Sequence, residues 1–260
     1  MKVSEAVVPD LLQESRDLDL PSFLAWAADR FGPGAGVPTL AFATSLGLED
    51  QLLLSHLDEV PAAGSRVHAF TLDTGRLNPE TYDLMQTNRG RYRLPVVSYW
   101  PEASAVEALV ASGGPNLFYD SIENRKACCG VRKVGPLNRA LAGRSAWITG
   151  LRRAQSVTRT DLHRVEWDGA HGLVKLNPLL DWTLDEVKAA IEERDVPVNA
   201  LHAHGYPSLG CAPCTRAVKP GEDERAGRWW WEDADKKECG IHVSAHTPAP
   251  KKTFAFGGLQ

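Results

Sequence analysis

Nowhere in the 260 residues does an apolar run approach the ~18 needed to cross a bilayer, so no membrane span is predicted. Residues 1–17 lack the apolar core of a signal peptide. Neither charge is in large excess: 29 Lys+Arg stand against 33 Asp+Glu, a formal net charge of −4. That balance leaves no electrostatic footprint for general nucleic-acid binding. There is no internal repeat. Disorder is excluded for most of the chain, because hydrophobic residues make up 43% and charged residues 24%, enough to build a substantial core. The length suits one large domain or two small ones. The expectation is a cytoplasmic globular protein, in a compartment that keeps thiols reduced.

Cysteine is scarce but patterned. An odd total of five argues against a disulfide framework. Cys128 and Cys129 are adjacent, Cys211 and Cys214 form a Cys-x-x-Cys, and Cys239 stands alone. Four plus one suggests a tetrathiolate metal site and a separate reactive thiol; the alternative is scattered small buried hydrophobes. Gly210 and Pro213 are turn residues that let backbone amides face bound sulfurs. Cys239 sits among Lys236, Lys237, Gly240 and His242. Neighbouring cations lower a thiol's pKa and populate the nucleophilic thiolate, whereas an inert structural cysteine belongs in an apolar run.

Apolar runs at 38–43, 66–72, 94–99 and 145–149 read as strands, and 174–180 is apolar enough to pack. Between them, 48–60, 79–88, 103–112 and 131–142 read as helices. A further helix is marked by a Thr183/Glu186 capping box and stopped by Pro197. Alternating strands and helices predict an α/β fold: a mostly parallel sheet with helices on both faces and ligands beyond the carboxyl ends of the strands. Three loops fall there. Thr44, Ser45, Leu46 and Gly47 can offer hydroxyls and backbone N–H groups to an anion, although they do not match a Walker loop. Asp73, Thr74, Gly75 and Arg76 add a carboxylate for a ribose or base, and a cation. Arg152, Arg153 and Arg159 follow Gly150 with guanidinium forks suited to phosphate or sulfate. Lys133 lies about one helical turn after Cys129. Arg225 and Arg228 share a face if helical, just before Trp229, Trp230 and Trp231, which cannot all face one core. Taken singly, each of these also reads as a solvated turn, loop or surface charge. Residues 205–240 fit no regular element, and 244–260 reads as a mobile tail.

Taken together, the motifs resemble the iron–sulfur type of assimilatory adenylyl-sulfate (APS) reductase in the PAPS/APS reductase family. The resemblance runs over 38–242. It rests on the Cys128-Cys129 and Cys211/Cys214 pairs, the segments 72–76, 149–153, 205–211 and 225–231, and the terminal motif Lys237 to His242. Two departures stand out: Leu46 precedes Gly47 where the family often has Ser-Gly-x-Glu, with Glu49 retained, and Ile241 replaces the commoner Leu. The resemblance implies an adenine nucleotide alpha hydrolase-like fold. It also implies a single domain over 1–243, with a nucleotide-binding core at about 38–200 and a cluster and catalytic segment at about 201–243. One [4Fe–4S] cluster would be ligated by Cys128, Cys129, Cys211 and Cys214. Cys239 would be the nucleophile, and Lys133, Arg159, Arg225 and Arg228 would meet sulfate and phosphate. Thr44, Ser45, Gly47 and Glu49, with Asp73, Thr74, Gly75 and Arg76, would hold the nucleotide. The implied reaction reduces APS to sulfite and AMP through a Cys239 S-sulfo intermediate, with thioredoxin or a glutaredoxin-like dithiol as reductant, in sulfate assimilation and cysteine biosynthesis. A C-terminal segment would close over the site. The rivals are a PAPS or dual-specificity reductase, an ATP-pyrophosphatase-like tRNA-modifying enzyme, and a zinc-stabilised binding module. A homo-oligomer is left open.

Overall fold

The computed structural model describes residues 3–32, 39–155 and 162–233. Among these residues six strands form one sheet: β1 (Leu40–Thr44), β2 (Val67–Leu72), β3 (Val96–Tyr99), β4 (Ala146–Ile148), β5 (Val165–Asp168) and β6 (Leu173–Leu176). Their order is β3-β2-β1-β4-β6-β5, parallel except for the edge pair β5/β6.

Side-chain alternation explains why both faces are covered. Leu40 and Phe42 of β1, Val67 and Ala69 of β2, and Ala146 and Ile148 of β4 enter one core, while Ala41, Phe70 and Trp147 enter another. Strands apolar on both sides must be sandwiched. The larger core is closed by α1 (Val8–Ser15), α2 (Leu20–Phe31), α3 (Leu48–Glu59), the short α4 (Ala63–Arg66) and α9 (Leu184–Glu193). The smaller is closed by α8 (Gly135–Leu141) through Leu137, Ala140 and Leu141. Two more helices, α5 (Pro79–Arg91) and α6 (Ala103–Gly113), lie between strands in the chain. From β1 the chain builds outward to β2 and β3, then returns to place β4 on the other side of β1. That reversal opens a crevice beyond the carboxyl ends of β1 and β4.

The four predicted strands appear as β1 to β4, and the Thr183/Glu186 capping box starts α9. The segment 174–180 is strand only to Leu176, because the next residue turns inward: Asn177 accepts from the Thr149 hydroxyl at 2.6 Å. The helix predicted over 131–142 begins much earlier. α7 (Ile122–Cys129) is capped by Ser121, whose Oγ accepts from Asn124 N. It passes through a π turn at Gly130–Val134 into α8. Pro136 cannot donate to the Arg132 carbonyl, and its ring would crowd that group; the wider turn relieves the clash. Between 205 and 233 the chain is irregular, as expected, with one bridge between Thr215 and Arg228. The predicted tail at 244–260 lies outside the described residues. No helix among the described residues is long and apolar enough to cross a membrane.

Candidate active site

Beyond β1, β2 and β4 lies a cavity of about 230 Å³. Thr44, Ser45, Gly47, Glu49 and Thr74 line it together with Lys133, Cys211, Arg225 and Arg228. Eight of the expected substrate-binding residues and one expected metal ligand therefore line a single crevice.

The first loop is held from behind. Leu46 adopts the left-handed conformation (φ 63°), which costs a branched residue energy unless packing imposes it. Its side chain is buried, and its N–H donates to Thr44 Oγ1 at 2.9 Å. Ser45 donates to Asp50 Oδ2 twice, from N at 2.6 Å and from Oγ at 2.7 Å. Asp50, in the first turn of α3, was not singled out from the sequence; two acids opening a helix directly behind a Ser–Gly loop are the signal for it. Burial pushes its carboxyl up to about 6, against the opposing pull of the Ser45 hydrogen bonds. On its other side it accepts from the Gly150 backbone, so tightly that a Cβ at 150 would collide with Asp50 Oδ1.

The basic loop after β4 serves the scaffold. Arg152 is buried and donates to Glu49 at 2.7 Å and to Glu224 at 3.1 Å, tying the first loop to the arginine-bearing segment. Arg153 pairs with Asp181 at 3.1 Å. These contacts correct the reading of Arg152 and Arg153 as an anion-binding fork; Arg159 lies outside the described residues.

In the second loop only Thr74 lines the cavity. Asp73 Oδ1 accepts from Gly75 N at 2.8 Å and from the Tyr82 hydroxyl at 3.0 Å, and Gly75 takes φ 70°. Arg76 donates to the Pro115 carbonyl at 2.6 Å and to Asn116 at 2.8 Å, and lies over the Phe118 ring. Asp73, Gly75 and Arg76 thus shape the loop and are not among the cavity-lining residues.

Lys133 sits in the π turn, not one α-helical turn from Cys129 as expected, and lines the cavity. Arg225 and Arg228 are not helical. The Arg228 N–H closes a turn onto the Arg225 carbonyl at 2.9 Å, and both side chains reach the cavity. The three tryptophans split as the sequence requires: Trp229 is buried, Trp231 half-buried, Trp230 exposed.

Next to the cavity, Cys129, Cys211 and Cys214 are buried in one cluster with Phe118 and Trp229, and Cys128 packs against it. A 3₁₀ turn at Ala212–Cys214 folds the second pair back on itself. The Thr74 hydroxyl lies 3.2 Å from Cys211 Sγ, joining cavity to cysteines. Burial pushes the Cys214 thiol up to about 12, helped by Cys211 and Cys128, while Lys133 and Arg228 pull the other way. Burial also raises Cys128, against Arg132 and Lys133. Among the described residues no group of three or more His, Cys, Asp or Glu side chains is arranged to hold a metal ion as it stands. The chemistry of the donor set still fits an iron–sulfur cluster: four thiols gathered in an apolar shell repel one another as thiolates unless a cationic centre holds them. Cys239 lies outside the described residues.

A mostly parallel sheet with helices on both faces, and a crevice beyond its strand ends lined by Lys133, Arg225, Arg228 and Cys211, defines an α/β protein. The profile described as the phosphoadenosine phosphosulfate reductase domain matches residues 39–217. The chain is 49% identical over 250 residues, 96% of each sequence, to adenosine 5′-phosphosulfate reductase of Burkholderia cepacia. It is 51% identical over 212 residues, 81% of each, to the protein of that name from Allochromatium vinosum. The fold matches the crystal structure of phosphoadenylyl-sulfate (PAPS) reductase from Candida auris, phosphate complex, with TM-score 0.69 and 28% identity over 84% of this chain and 99% of that one. The chain belongs to the phosphoadenosine phosphosulfate reductase family.

Proposed function

We propose that this chain reduces adenosine 5′-phosphosulfate to sulfite and AMP within a single domain over 1–243. The observation that carries the reading is the crevice itself. Residues of the first loop, Lys133, Arg225, Arg228 and Cys211 all line one cavity. The nucleotide lies against Thr44, Ser45, Gly47, Glu49 and Thr74. Lys133, Arg225 and Arg228, joined by Arg159, take the phosphate and sulfate. Asp73, Gly75 and Arg76 keep the second loop in shape.

The Cys239 thiolate attacks the sulfate sulfur. An S–S bond forms, the bond from that sulfur to the phosphate oxygen breaks, and AMP leaves with the electron pair. The cations stabilise the charge that develops on the phosphate. They are needed at the outset too, since two like unit charges ~4 Å apart repel by about 4 kcal/mol at an effective dielectric of ~20. One thiolate of an external dithiol, a thioredoxin or glutaredoxin-like protein, then attacks Cys239 Sγ and releases sulfite. Its second thiol resolves the mixed disulfide and regenerates Cys239. The dithiol loses two electrons and the sulfur gains two.

Cys128, Cys129, Cys211 and Cys214 would hold one [4Fe–4S] cluster. When bound, it would supply fixed charge and cross-link the α7 end to the 211–214 turn; the electron count above does not require its redox chemistry. We assign this reaction to sulfate assimilation and the chain to the cytoplasm. Turnover of APS against its 3′-phosphorylated analogue tests the substrate. Preference for APS supports this reading; equal or better turnover of the analogue assigns the chain to the PAPS or dual-specificity alternative.

A further inference from the structure

Helix α7 is polar in sequence, yet Arg125 within it is 0% exposed. Its guanidinium donates to Glu232 in a bidentate pair, Nε to Oε1 at 3.0 Å and Nη2 to Oε2 at 2.8 Å, and the Glu232 side chain is only 3% exposed. The same guanidinium lies 4.6 Å from the centre of the Trp229 ring, and Arg228 lies 5.0 Å from it. Trp229 adopts φ 41°, a conformation a bulky residue keeps only when its surroundings impose it. Its N–H donates to the Cys214 carbonyl at 3.0 Å, and its carbonyl accepts from Glu232 N at 2.9 Å. The 229–232 turn is therefore fixed at both ends, to the 211–214 turn and to α7, which carries Cys128 and Cys129.

Neither Arg125 nor Glu232 lines the cavity, and the mechanism above does not use them. A buried ion pair is seldom the most stable filling for its space, and its best-attested service is to fix geometry. Glu232 stands seven residues before Cys239, within a span of at most about 24 Å.

We propose that the Arg125–Glu232 pair is a positioning lock for the nucleophile. It fixes the point from which the chain leaves toward Cys239, at Glu232. The proposal rests on Cys239 being the attacking thiol.

The test uses the full, iron-loaded protein, mixed with APS without reductant and quenched at intervals for intact mass. Glu232→Gln keeps the shape and removes the charge; Arg125→Lys keeps the charge and removes the fork. Both should lower the limiting rate of S-sulfo formation about tenfold or more. Half-saturating APS and AMP affinity should stay within about twofold, with iron content and visible absorbance unchanged. An unchanged limiting rate overturns the lock. So does a loss of AMP affinity or iron in step with the rate, which would assign the pair to general support of the cysteine pocket. If the parent protein forms no adduct at Cys239, the proposed function itself falls, an outcome distinct from failure of the lock.

Discussion

Gly210 lies directly beneath the Arg228 guanidinium, which makes Gly210→Ala a sharp probe of the cationic wall. A Cβ at 210 would stand 2.5 Å from Arg228 Cζ and 3.0 Å from Nε, inside the ~3.5–4 Å of ordinary contact. The guanidinium must withdraw by roughly 1 Å. It then gives up its bond to the Leu209 carbonyl, its 3.4 Å contact with Ser208 Oγ and its place over Trp229. The clash is with the flexible end of a side chain, so the fold survives at a loss of about 1–3 kcal/mol. For a protein of this size the melting midpoint falls about 2–4 °C per kcal/mol. A charged hydrogen bond contributes about 1.5–3 kcal/mol, so APS should bind roughly 10- to 150-fold more weakly. The assay is calorimetric titration in a Cys239→Ser background, where APS is not consumed. Gly210→Ala should reproduce Arg228→Ala, with AMP affinity changing less than about threefold in both. Undiminished APS binding, or equal losses for APS and AMP, would refute the assignment of Arg228 to the sulfate.

Arg152→Ala leaves Glu49 and Glu224 without their shared buried cation and should destabilise the protein by about 3–5 kcal/mol in denaturant unfolding; a loss below about 1 kcal/mol would contradict its scaffold role. Asp50 titrates near 6 when folded against a reference of 3.8, so the folded state binds its proton more tightly. Its contribution to stability therefore grows as pH falls through 6, by about 1.4 kcal/mol between pH 7.5 and pH 5, and Asp50→Asn should abolish that increment. A difference between parent and variant that is flat across those pH values would contradict the burial argument. Cys214→Ser should lose iron and visible absorbance, whereas Cys239→Ser should keep both; retention of iron by Cys214→Ser would remove that residue from the cluster.

The strands β1, β2 and β4 were legible because a parallel strand buried on both faces reads as a nearly unbroken apolar run, whereas the edge strand β3, with Val97 exposed, was marked by its apolar residues from Leu94 to Val97. α9 was legible through its local cap. What escaped depends on contacts distant in sequence. β5 is an antiparallel edge strand whose Glu166, Trp167 and Asp168 are only partly buried, so no apolar run marks it. α7 is polar in sequence and acquires its buried face from Glu232, 107 residues away from Arg125. Around the cavity the residue types were readable, but their partners were not. Arg152 and Arg153 look like anion ligands until Glu49, Glu224 and Asp181 arrive from three other segments. Asp50 is mute until Gly150 closes over it.

The most direct test of a free nucleophilic thiol beside a cysteine-held cluster is the mass of the intact, anaerobically purified protein after mixing with APS. A gain of one sulfo group, mapped to Cys239 and removed by adding a dithiol, is the predicted result. An adduct on Cys128, Cys129, Cys211 or Cys214, or one that persists in Cys239→Ser, would contradict it.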